Sequence, residues 1–137
     1  MVEVRVTRQF PHPRERVFDV YTDHWGWSRW AGVPMKITRE GVDDRRGVGL
    51  VRVIPGGYHE EVTRFEPHSE MRYRLFKGLG IAEHEGIVTF EEADGGTRVE
   101  WVVRIRPSIP LTGALLRLGL GAAFSRVLRL LEAELGR

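Results

Sequence analysis

Apolar and polar positions alternate over most of this chain, and helical spacing is confined to a stretch near the start and another at the end. Val2, Val4 and Val6 alternate with Glu3, Arg5 and Thr7, which predicts a half-buried first strand running to about Phe10. Pro11 and Pro13 bracket His12 and lead into a short helix over Arg14–Thr22, whose apolar face is Val17, Phe18 and Tyr21. A second short helix is expected over His24–Trp30, where Trp25, Trp27 and Trp30 crowd together. From Met35 the period switches to two. Strands are expected at Met35–Glu40, Val48–Ile54, Tyr58–Glu66, Met71–Lys77, Ala82–Glu92 and Thr97–Arg106. The separators are turn chemistry, most clearly Asp94-Gly95-Gly96, where glycine supplies the positive φ of a tight hairpin. Strands joined by such short links must be antiparallel, because parallel links need long crossovers.

The chain ends in a helix expected over Pro110–Leu135, with Leu116, Leu120, Phe124, Val127 and Leu131 in one stripe. Leu111, Leu115 and Leu118 lie opposite that stripe, beside Gly113, Gly119 and Gly121. The apolar run is too short and too interrupted for a membrane span. One antiparallel sheet and one long helix give an α+β class, the helix covering the sheet's apolar face.

Composition adds bounds. A length of 137 residues suits one domain, expected over residues 1–137, and 42% hydrophobic with 29% charged residues is ordinary for a globular protein. The start does not read as a secretory signal and there are no cysteines, so the expected compartment is the cytoplasm. Net charge is only +2, and arginines alternate with glutamates in nearly every segment, which argues against a nucleic-acid surface.

Three motifs then carry a resemblance: Pro13-Arg14-Glu15-Arg16-Val17-Phe18 leading to Thr22-Asp23 and Trp30-Ala31; Val62-Thr63-Arg64-Phe65-Glu66-Pro67; and Gly95-Gly96-Thr97-Arg98-Val99-Glu100-Trp101. With the element order, they make the whole chain resemble the polyketide cyclase/dehydrase and lipid transport proteins of the SRPBCC (START and Bet v 1-like) superfamily. The resemblance implies a helix-grip fold of about seven curved strands around the C-terminal helix. It also implies a cavity for a lipid, polyketide, quinone or similar small hydrophobic molecule, but not one activity.

Strand parity proposes the lining. Thr97, Val99, Trp101, Val103 and Ile105 point inward, as do His84, Gly86, Val88 and Phe90 on the strand before, and Met71, Tyr73 and Leu75 before that. The expected ligand contacts are Trp27, Tyr73, His84, Val88, Phe90, Trp101, Leu116, Leu120 and Phe124. Strand 58–66 leaves two parities open. One, set by Phe65, turns His59, Glu61 and Thr63 inward; the other turns Tyr58 and Val62 inward. In the first case His59, Glu61 and His84 are candidate acid–base groups. The preferred alternative has His59 and Glu61 at the rim or in solvent, and His84 as a satisfied histidine. No HxH, HExxH, GxSxG or phosphate-loop pattern occurs, so no metal and no cofactor is expected.

The leading expectation is therefore a noncatalytic binder. A cyclase or dehydratase and a START-like adaptor docking on a larger assembly stand as alternatives. Residues 111–121 are the expected gate, and the segment for transient contact with a membrane or protein.

Overall fold

The computed structural model describes residues 1–110 and 112–137. Strand β1 (Val2–Phe10) is followed by α1 (Arg14–Thr22), a single 3₁₀ turn (His24–Gly26) and the short α2 (Trp27–Trp30). Then come β2 (Lys36–Arg39), β3 (Val51–Ile54), β4 (Tyr58–Glu66), β5 (Glu70–Lys77), β6 (Ile81–Ala93), β7 (Gly96–Pro107) and α3 (Gly113–Leu135). The second expected helix is thus split between a 3₁₀ turn and α2. The strand expected from Val48 begins only at Val51, because residues 41–50 fold back on themselves through Gly41 N–H to Arg45 O and Gly47 N–H to Asp44 O.

Seven antiparallel strands run in the order β1-β7-β6-β5-β4-β3-β2, so the first strand closes against the last. The β6–β7 turn behaves as Asp-Gly turns do, with Asp94 at φ 51° and Gly95 at φ 78°. On the outer face arginines meet carboxylates, as in Arg5–Glu100 at 2.8 Å and Arg104–Glu3 at 3.4 Å.

Two irregularities shape the inner face. In β4 the register shifts between Val62 and Arg64, so one extra residue switches the parity of the strand. Val62 is buried on one side of the shift, and Phe65 packs inward against Phe18 on the other, with ring centroids 5.2 Å apart. Between β5 and β6 the ladder ends at Tyr73↔Gly86. The two strands part beyond that pair.

Helix α3 lies across the sheet in two unlike halves. Its second half buries Val127, Leu128, Leu131 and Leu135 in the core. Three arginines fasten it: Arg8 to Glu132 at 3.3 Å, Arg29 to Glu134 at 2.5 Å, and Arg16 to the Leu135 carbonyl at 2.8 Å. In the first half no described residue is buried, and Leu115 and Leu118 are 75% and 74% exposed. Leu111, expected on the same exposed face, lies outside the described residues. No described helix is long and apolar enough to cross a membrane.

Candidate functional site

A cavity of about 330 Å³ lies between the first half of α3 and the diverging ends of β3–β6. Leu116, Leu120, Ala123 and Phe124 roof it from α3, and Ile54, Leu75, Ile81 and Ile105 wall it from the sheet. Trp27, Val33 and Met35 close one side. Its inner end is set by Trp101, which stacks on Phe124 with ring centroids 4.1 Å apart and 16° between planes. The apolar half of the lining follows from alternation. β7 presents Trp101 and Ile105 while Arg104 and Arg106 face out, and Ile81 joins them from β6 because the register shifts between Ile81 and Glu83.

The polar floor is less expected. Arg52 on β3 and Glu60 on β4 are directly paired across the hairpin, and both are buried, at 2% and 6% exposure. Arg52 Nε donates to Glu60 Oε1 at 2.9 Å, and the guanidinium carbon lies 4.7 Å from the centre of the Tyr73 ring. Burial opposes the Arg52 charge, but the adjacent Glu60 carboxylate outweighs it, so the pKa of Arg52 rises. Arg52 Nη1 also donates to His24 Nδ1 at 3.0 Å. His24 must then carry its hydrogen on Nε2, which donates to the Arg46 carbonyl at 3.1 Å. Desolvation, reinforced by the Arg52 charge, pushes the His24 pKa down to about 3.

His84 occupies the place where the β5–β6 ladder fails. Its Nδ1 accepts the Leu75 backbone N–H at 3.1 Å, replacing the missing strand partner. The hydrogen therefore sits on Nε2, which lies 3.9 Å from Glu60 Oε2. Desolvation lowers the pKa of His84. Tyr73 lies over Gly86, where any side chain would collide with its ring, and Tyr73 Oη accepts the indole N–H of Trp101 at 2.8 Å. Burial raises the pKa of this phenol, so it stays protonated.

The structure brings together Trp27, Tyr73, His84, Trp101, Leu116, Leu120 and Phe124 around the cavity. Val88 and Phe90 are not part of the lining. They are fully buried deeper in the core, where Phe90 packs on Phe18 and Tyr21. His59 and Glu61 also lie outside the cavity: His59 stacks edge-on against Phe76, and Glu61 pairs with Arg39 and Arg74 on the outer face. The β4 bulge is the reason. Parity counted back from Phe65 fails at Val62, so Tyr58 and Glu60 line the cavity instead. Arg52, Glu60 and His24 were missed. The available signal was the opposite charge of Arg52 and Glu60 at equal distances from the Pro55–Gly57 turn.

The set can hold a molecule by apolar contact and offer it hydrogen bonds at one end. His84 is not placed to take a proton, because its basic nitrogen already accepts the Leu75 N–H, whereas Glu60 Oε2 is left with open acceptor capacity. Among the described residues no three His, Asp or Glu side chains converge as a metal site would require.

A family model described as "Polyketide cyclase / dehydrase and lipid transport" matches residues 1–136. Solved structures share the fold over nearly their whole length. A START superfamily protein from Mycobacterium smegmatis has a TM-score of 0.83 at 13% identity, with 99% of this chain and 98% of that one covered. A protein from Thermus thermophilus gives 0.70 at 22% identity, covering 97% and 96%. The crystal structure of Ara h 8.0201 gives 0.72 at 16% identity, covering 97% and 96%. At these identities the likeness shows the fold alone, which is the helix-grip fold of START and Bet v 1-like proteins. No curated protein matches the sequence.

Proposed function

We propose, since this chain belongs to the polyketide cyclase / dehydrase and lipid transport family, that it binds a small hydrophobic ligand in its cavity and does so without catalysis. Family and fold point to hydrophobic ligand binding in general. The observation that carries the proposal for this chain is the 330 Å³ space itself, at the lower end of the roughly 300–1,000 Å³ typical of ligand sites. A noncatalytic role is supported by His84, whose Nδ1 is held by Leu75 N–H, and by the outward positions of His59 and Glu61. Incubation with a cell lipid extract, followed by native mass spectrometry, tests the reading. A discrete bound mass of one small apolar molecule is expected. Only unliganded protein, together with no thermal stabilisation by any apolar probe, would overturn it.

The ligand enters by movement of the first half of α3. Leu115 and Leu118 are exposed there, Leu116, Leu120 and Phe124 are only half buried, and the three fastening arginines all act on the second half. The exposed leucines are then the contact that a membrane or partner protein would use during transfer. Hydrogen exchange on the ligand-free protein should be faster over 113–121 than over 124–133, and equal protection would refute the gate.

A further inference from the structure

Resting on the reading that the cavity holds a ligand, we infer that its occupant is uncharged and carries a hydroxyl group seated between His84 Nε2 and Glu60 Oε2. The two side chains are each only 7% exposed, and the facing atoms are 3.9 Å apart, beyond a direct hydrogen bond. Each is left with unused capacity. Glu60 Oε1 takes the Arg52 hydrogen bond, while Oε2 accepts none among the described residues. His84 uses Nδ1 as an acceptor for Leu75 N–H, so Nε2 is a donor with no partner in hydrogen-bonding range among the described residues.

An oxygen about 2.8 Å from both atoms bridges them, with an angle near 90° at the oxygen. Only a group that both accepts and donates satisfies the pair: it takes the His84 hydrogen and gives its own to Glu60. A water molecule fits the same geometry. A ligand hydroxyl that displaces it keeps both hydrogen bonds and adds apolar burial, whereas a methyl group forfeits both. A ketone satisfies His84 and leaves Glu60 unmet.

The charges exclude a carboxylate at this point. Arg52 and Glu60 sum to zero, and His84 is neutral because its second nitrogen faces a backbone N–H. A carboxylate would bring a second negative charge against Glu60 with no unpaired cation to offset it. The rest of the cavity, from Ile81 and Ile105 to Leu116, Leu120 and Phe124, takes the apolar body. Its volume suits a few fused rings or one short chain, and not a two-chain lipid.

Fluorescence titration at pH 7 with 1-hydroxypyrene, 1-methylpyrene and 1-pyrenecarboxylate, which share one ring system, provides the test. The hydroxyl probe should bind about tenfold or more tighter than the methyl probe, with the carboxylate weakest. Glu60→Gln leaves Arg52 without its counter-charge and should reverse the order between carboxylate and hydroxyl; its folding is checked by circular dichroism. The wild-type series decides the question without that variant. Equal affinity for the hydroxyl and methyl probes, or a preference for the carboxylate, overturns the inference while leaving the apolar cavity reading intact. Failure of all three to bind overturns both.

Discussion

Lowering the pH should destabilise this protein through His24. The imidazole is fully buried, with Arg52 Nη1 donating to one nitrogen and the Arg46 carbonyl accepting from the other. A proton added to Nδ1 would lose the Arg52 hydrogen bond and set two positive charges together, with Asp44 the carboxylate that partly relieves them. The folded pKa, about 3, lies below the ordinary 6.5, so the protein binds the proton better when unfolded. Stability is therefore complete above pH 6.5 and falls as the pH drops towards 3. For one such histidine the loss between pH 7 and pH 5 is about 2 kcal/mol, and about 5 kcal/mol is the ceiling for the whole interval. The first figure depends only on the unfolded value so long as the folded one stays below about 4. Urea denaturation at pH 7, 6 and 5 measures it directly. His24→Asn keeps an acceptor for Arg52 but cannot titrate, so its stability should fall about 2 kcal/mol less across that range. A residual slope from His84, whose pKa is also lowered by burial, remains in the variant. Identical slopes for variant and wild type would refute the argument.

Gly86→Ala should cost about 1–3 kcal/mol by urea denaturation, because its methyl group meets the Tyr73 ring that holds the Trp101 indole; an unchanged midpoint would contradict the packing described. Gly119→Ala with Gly121→Ala should do the reverse. Neither added methyl meets an atom within 4 Å, so each should stabilise the helix by about 0.5–1 kcal/mol while slowing ligand exchange measured by stopped-flow fluorescence. Stabilisation with unchanged exchange would separate helix propensity from gating.

Element order and antiparallel topology were legible because alternation, proline and Asp-Gly turns all act locally. The apolar lining from β7 was legible for the same reason: Trp101 and Ile105 sit on an unbroken strand paired on both edges. β4 was not. A bulge is one residue with no distinctive chemistry, and Thr63 carries no mark that it switches the facing of everything before it. Val88 and Phe90 do face inward as their parity requires, but parity does not tell a cavity wall from a packed core. That distinction depends on where β5 and β6 part, and on how far along α3 the buried side chains begin.

The β4 bulge also divides the molecule's tolerance of change. On one side of it Phe18, Phe90, Leu128 and Leu131 are fully buried with Phe65 packed against them, so each constrains its neighbours and a lost methylene is felt at once. On the other, Ile54, Leu75, Ile81, Leu116 and Leu120 border a void and answer to fewer contacts. Substitutions at this hollow end can reshape the binding space at little cost to folding, while the solid end keeps the scaffold. The shape of the hollow can therefore change through the first half of α3 and the tips of β3–β6 while the buried Arg52–Glu60 pair keeps its floor in place.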